Sequence, residues 1–153
     1  MTQTRSRSRS AARLAAVQAL YQHEMEGTPL PRLLKEFHDH RLGALIEDAQ
    51  YLQAEQSFFD DIVLGVDARR SEIDAAIVTR LAKGWSLERL DRPMRAILRA
   101  GAYELIARPD VPVGSVISEY VDVAHAFFDK RESGFVNGLL DAIAKQARAA
   151  GAG

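Results

Sequence analysis

The chain has 153 residues, enough for one domain with one sizeable core, and its net charge of −1 makes it neither a polycation nor a polyanion as a whole. It has no cysteine, which excludes a disulfide framework and any thiolate metal site. No apolar run approaches the ~20 residues of a membrane span, and the basic N-terminus lacks the apolar stretch of a secretory signal, so a soluble cytoplasmic protein is expected.

The charge is unevenly placed. Residues 1–23 contain Arg5, Arg7, Arg9 and Arg13 and no acid, leaving 16 of the 20 Lys and Arg to face all 21 Asp and Glu. Residues 1–8 are polar, alternate Arg with Ser and offer no apolar anchor, so a disordered basic arm is expected there. Ser10 then opens a helix to about Glu26, with Leu14, Val17, Leu20, Tyr21 and Met25 at helical spacing and Gly27 as its stop. Arg9 and Arg13 are four apart and share one side of its front.

A short second helix over 30–38 carries Leu33, Leu34 and Phe37 inward. Residues 39–52 read equally as loop or helix. From about Ala54 to Asp67, Phe58, Phe59, Ile62, Val63 and Val66 form an apolar stripe. Ser71 with Asp74 resembles a capping box, which starts a fourth helix running to about Lys83, and Gly84-Trp85-Ser86 breaks it. Next comes the strongest pattern, DRPMRAILRAGAYELIAR over 91–108. Its face of Met94, Ile97, Leu98, Gly101, Ala102, Leu105 and Ile106 predicts the central helix of an all-helical core. Pro93 suits its first turn, Pro109 closes it, and Gly101 and Ala102 let another helix approach closely. A sixth helix follows Pro112, with Val113, Val116, Ile117, Tyr120, Val121, Ala124, Phe127 and Phe128 facing in. A polar break is expected over 129–134, and a last helix from about Phe135 to Arg148. The expected fold is all-α, with about seven helices in two packed subdomains at about 9–69 and 70–150.

No catalytic constellation emerges. His38 and His40, two apart, make a poor metal pair, and no metalloprotease, phosphate-loop or nucleophile-elbow motif is present. No cofactor or metal is expected. Two places stand above the background. The arginine arm suits phosphate, through forked charge-assisted hydrogen bonds, or is simply a solvated tail. The second is Ser133-Gly134-Phe135-Val136-Asn137-Gly138, which sets a stacking ring and an amide between two glycines. On residues alone, packing and local capping explain Phe135 and Asn137 more simply. Tyr21 reads the same way, as a packed ring with a polar tip.

Four segments together resemble the NusB family of bacterial transcription antitermination factors. They are AVQALYQHE at 16–24, LRAGAYEL at 98–105, PDVPVGSVISEYVDVA at 109–124 and FVNGLLDAIA at 135–144, in family order and spacing. The resemblance implies a non-enzymatic RNA-binding protein. It would recognise boxA-type single-stranded RNA of ribosomal RNA leader transcripts together with NusE, a ribosomal protein of the small subunit. The complex would act on RNA polymerase to suppress termination. By position, the family's RNA contacts fall on Arg9, Arg13, Gln18, Tyr21, Phe135 and Asn137, which turns the reading of the Phe135 segment towards RNA. Arg5 and Arg7 enter on electrostatic grounds only. The serines between these arginines depart from the contiguous arginines of many members. Two rivals remain: the N-terminal domain of a ribosomal RNA cytosine methyltransferase, which is similar to NusB, and a helical protein that dimerises through an apolar face. The RNA reading expects the arginine-bearing leader and the start of the last helix to act together.

Overall fold

The apolar stripes at 3.6-residue spacing are α-helices, and their inward positions are the buried ones. The computed structural model describes residues 2–42 and 49–149, with side chains over 8–42 and 55–149. Among them are α1 (Thr2–Glu26), α2 (Leu30–His40), α3 (Ala49–Ala68), α4 (Arg70–Arg80), α5 (Arg92–Ala107), α6 (Val113–Phe127) and α7 (Lys130–Ala149). A single 3-10 turn spans Leu87–Arg89, and there is no strand among the described residues. No helix is long and apolar enough to cross a membrane. The segment left open at 39–52 is helical to His40 and again from Ala49, and its residues 43–48 lie outside the described residues. Contacts divide the chain into two compact units, Met1–Gly65 and Val66–Gly153.

In the first unit α1 reaches back to Thr2, through the stretch expected to be an irregular arm. Arginine is a good helix former and serine is tolerated, so the Ala- and Leu-rich segment behind them propagates the helix forward. Gly27 ends it with φ +70, the left-handed conformation that glycine adopts without a Cβ clash, and its N–H reaches His23 O at 2.9 Å. Leu33 and Phe37 of α2 and Phe58, Phe59, Ile62 and Val63 of α3 are buried. Phe37 stacks on Phe59 with ring centroids 5.4 Å apart. Beside that stack, His38 Nε2 meets Asp60 Oδ1 at 2.6 Å, a polar tie across the same two helices.

The second unit is built round α5. Ten of its residues, from Met94 to Leu105, are buried, and they cover more than one face. A helix buried over most of its circumference must be enclosed, and α4, α6 and α7 each pack against it. Gly101 is the point of closest approach. A Cβ there would stand 2.9 Å from Leu140 Cδ1 of α7 and 3.4 Å from Tyr120 Cδ2 of α6. The carboxylate of Glu104, fully buried, accepts the Tyr120 hydroxyl at 2.5 Å. On the α4 side Arg99 forks onto Asp74, Nε to Oδ1 at 2.8 Å and Nη2 to Oδ2 at 3.2 Å.

Four expectations are corrected here. The capping box of Ser71 and Asp74 does not form, because α4 begins at Arg70 and Asp74 is engaged by Arg99. That helix stops at Arg80 rather than Lys83, and Gly84 turns the chain with φ +91. The polar break at 129–134 is the first turn of α7. Asp129 accepts the Arg131 N–H at 3.2 Å, so a local carboxylate satisfies one of the open donors at the helix start, and Ser133 Oγ turns back to Lys130 O at 3.0 Å. Phe127, expected inside, is 39% exposed.

The C-terminal end of α5 is closed by a side chain from the far end of the unit. Arg148 donates to Leu105 O (2.8 Å), Glu104 O (3.4 Å), Arg108 O (3.0 Å) and Val111 O (3.0 Å). Glu104 O and Arg108 O also accept backbone N–H groups, from Arg108 and Val111, so the guanidinium adds to the bonds that close the helix end and complements the negative end of the helix dipole. Arg148→Ala is expected to lower stability by roughly 2–3 kcal/mol, with Arg148→Lys keeping part of it. Urea denaturation midpoints measure both, and unchanged midpoints contradict this role for the cap.

Candidate nucleic-acid interface

The backbone of Arg5 and Arg7 lies in α1, but their side chains lie outside the described residues. Arg9 and Arg13 are brought together as their spacing predicts, over the ring of Phe58 on α3. Their guanidinium carbons lie 4.9 and 5.0 Å from the ring centroid. One ring thus receives two cations, each attracted by its π face. Arg9 remains half-exposed, whereas Arg13 is only 3% exposed. Arg13 therefore packs inside the first unit rather than presenting its fork to solvent. The sequence did hold this signal: Arg13 shares a helical side with the buried Ala16, Val17 and Leu20, at spacings of three, four and seven.

Gln18 and Tyr21 do not share that side. With Leu14 and Met25 they form the i, i+4, i+7, i+11 row on a different face of α1. Leu14 is 37% and Met25 46% exposed, and Gln18 and Tyr21 are partly exposed between them. The apolar spacing read as a core stripe is thus split: Val17 and Leu20 go in, and Leu14 and Met25 stay out.

In the second unit Phe135 and Asn137 both lie on α7 and both are exposed. Two positions apart on a helix, they point well away from each other and flank the buried row of Ser133, Val136 and Leu140 on either side. The outer surface between them is formed by Gly134, Gly138 and Asp141. A Cβ at either glycine would meet nothing within 4 Å. No internal contact requires these glycines, yet each weakens a helix by about 0.5–1 kcal/mol against alanine. They leave bare backbone where an external group can come close. Asp141 pairs with Lys145 at 3.0 Å, continuing the expected polar row from Asn137. At the front of α7 the Asp129 carboxyl is held below the ordinary carboxylate range, first by its hydrogen bond with Glu132 and then by the Arg131 N–H.

Sequence reasoning passed over what stands beside Phe135. An open pocket of about 570 Å³ in the second unit is lined by Leu81, Trp85, Arg89, Met94, Arg131 and Phe135, among others. Trp85, taken from sequence only as part of a break, is 52% exposed, and Phe135 is 39% exposed. Arg89 lies over the Trp85 ring at 5.3 Å and donates from Nη1 to Gly84 O at 2.7 Å. A lone tryptophan beside a helix stop, with arginine four residues on, was the available clue. Among the described residues, no cluster of three or more His, Cys, Asp or Glu could hold a metal ion.

This architecture has close counterparts. The profile of the NusB family matches residues 10–145. The chain is 73% identical over 144 residues to the transcription antitermination protein NusB of Sphingopyxis alaskensis, covering 94% of this chain and 97% of that one. It is 69% identical over 148 residues to that of Novosphingobium aromaticivorans, covering 97% and 100%. Among solved structures, NusB of T. maritima superposes with a TM-score of 0.74 at 32% identity, covering 90% of this chain and 91% of that one. A complex of the antitermination factors NusB and NusE with double-stranded RNA gives 0.72 at 29% identity, covering 92% and 98%.

The two arm arginines should separate by experiment. Arg13→Ala is expected to lower stability by roughly 1–3 kcal/mol, through lost packing and lost cation–π contact. Arg9→Ala, half-exposed, should cost less than about 1 kcal/mol. Chemical denaturation of the two variants side by side checks this, and equal losses contradict the assignment.

Proposed function

The chain belongs to the NusB family, and on that footing we propose that it is a cytoplasmic transcription antitermination factor. It recognises boxA-type single-stranded RNA of ribosomal RNA leader transcripts together with NusE. The assembly acts on RNA polymerase to suppress termination, and this chain contributes binding, not catalysis.

The observation that carries the reading is the exposed strip on α7. Phe135 offers a ring to an unpaired base, Asn137 offers a donor and an acceptor to a base edge, and Gly134 and Gly138 let ribose or phosphate approach the helix backbone. Core packing explains none of these four. In the first unit Arg9, whose guanidinium lies over Phe58, supplies a cation to phosphate, and Tyr21 and Gln18 add contacts from another side of α1. Arg5 and Arg7 continue the positive charge along the same helix. Arg13 acts through Arg9, by filling the other position on Phe58. The related complex contains double-stranded RNA, so a duplex control belongs in any test.

Binding is measured with a boxA-type oligonucleotide, its scrambled form and a duplex, with and without NusE, across a salt series. The unpaired boxA-type strand should bind best, and NusE should tighten it. Equal binding of the scrambled strand contradicts recognition of boxA. Arg9→Gln should reduce the slope of log K against log salt by about 0.7, one phosphate on a single strand. An unchanged slope removes Arg9 from the backbone. Gly138→Ala makes a sharper test, because its two effects have opposite signs. It is expected to raise stability by about 0.5–1 kcal/mol while weakening RNA binding. A stabilised variant with undiminished affinity shows that nothing approaches α7 there.

A further inference from the structure

Phe135 has two sides. Along its own helix it borders the glycine strip, and across α7 it faces a pocket that the RNA reading leaves unused. The pocket lies wholly within the second unit. Leu81, Leu90 and Met94 give it an apolar lining, and Trp85 and Phe135 are exposed rings in its wall. Arg89 and Arg131 supply two cations, and Asp91 and Glu132 two carboxylates.

We propose that this pocket receives one unpaired RNA base, stacked against Trp85, with the neighbouring phosphate on Arg89. The proposal rests on the RNA reading of Phe135 and extends it to residues outside the four matched family segments. Three features favour a nucleotide. First, Arg89 is fixed beside the ring it stacks on: its guanidinium sits 5.3 Å from the Trp85 centroid and one N–H is tied to Gly84 O. A half-exposed indole next to an immobilised guanidinium pairs a stacking surface for a base with a fork for the phosphate attached to it. Second, the Asp91 carboxylate repels a phosphate from the pocket itself but accepts from the N–H groups of a base edge. The base therefore enters and its phosphate stays at Arg89. Third, the alternative occupant, an apolar side chain of a protein, would cover Arg89 and Arg131 without matching their charge. Desolvating a cation under such a lid is unfavourable, whereas RNA carries a phosphate at every step.

Trp85 is the sole tryptophan of the chain, so the pocket carries its own reporter. The full chain is titrated with the boxA-type single strand while Trp85 emission and the anisotropy of end-labelled RNA are followed together. A parallel series contains NusE, with RNA-free NusE subtracted from the emission. Stacking predicts quenching of Trp85 that saturates with the anisotropy. Trp85→Ala should weaken RNA binding about 5- to 100-fold, with Trp85→Phe retaining part of the affinity. Arg89→Ala should lower the salt slope by about one phosphate contact. Trp85 is exposed, so the variants are expected to fold, and circular dichroism melts confirm that before binding is read.

Each other outcome is decisive. If the wild-type chain binds RNA by anisotropy, yet Trp85 emission stays constant and Trp85→Ala binds equally well, the pocket proposal falls and the RNA reading stands. If Trp85→Ala loses association with NusE but not with RNA alone, the pocket belongs to a protein contact and the proposal is overturned. If the wild-type chain binds no single strand even with NusE, both fall together.

Discussion

The second unit depends on how near three helices can come at Gly101. With no side chain on α5 there, Leu140 of α7 and Tyr120 of α6 settle almost onto its backbone. That approach explains the enclosure of α5 and the burial of polar groups that would otherwise be unfavourable. The Glu104 carboxylate lies one turn further along the same helix, and so meets the Tyr120 hydroxyl instead of an apolar wall. A larger residue at 101 would push Tyr120 and Leu140 outward and open that contact to strain. The position of α7, with its outward strip and the wall of the neighbouring pocket, is a further result of this packing.

Much of the fold was legible because it rests on periodicity. The α5 pattern has its prolines and its Gly101 in the sequence, and the structure uses them as expected, while Asp91, which suited an N-cap, makes no side-chain cap bond. The α3 stripe is buried at all five predicted positions. The failures share a cause: pattern reading ranks residues by type, whereas the structure ranks them by neighbours. Arginines and serines within residues 1–8 suggested a disordered arm, but the helix behind them extends forward to Thr2. Asp74 was expected to cap its own helix, and a stronger partner 25 residues away holds it instead. The polar segment at 129–134 looked like a break by its composition, although Asp129 is an N-cap residue type and accepts the Arg131 N–H of the first turn of α7.

The candidate site was less legible for the same reason. Arg13 shares its helical side with Ala16, Val17 and Leu20, which marked it for burial, but the ring that both arginines cover, Phe58, lies 45 residues beyond Arg13 and is invisible to local spacing. Phe135 and Asn137 were found by family position, and the structure adds that they flank a surface of glycines rather than point together. Trp85 and Arg89 carried no periodic signal at all. Their meaning comes from the pocket, which exists only once the turn at Leu87–Arg89 and α7 are both in place.

Arg148 has a consequence for the order in which this unit can form. The carbonyls it engages lie about 40 residues earlier in the chain, at the end of α5 and in the loop that follows. During synthesis those groups leave the ribosome well before their partner does, and local backbone N–H groups and water must serve them in the interval. Contacts of such separation add loop-closure entropy and arrive late in folding. The nascent unit should therefore dwell in a loosened state with α5 uncapped, and mature when the last turn of α7 swings in as a clasp.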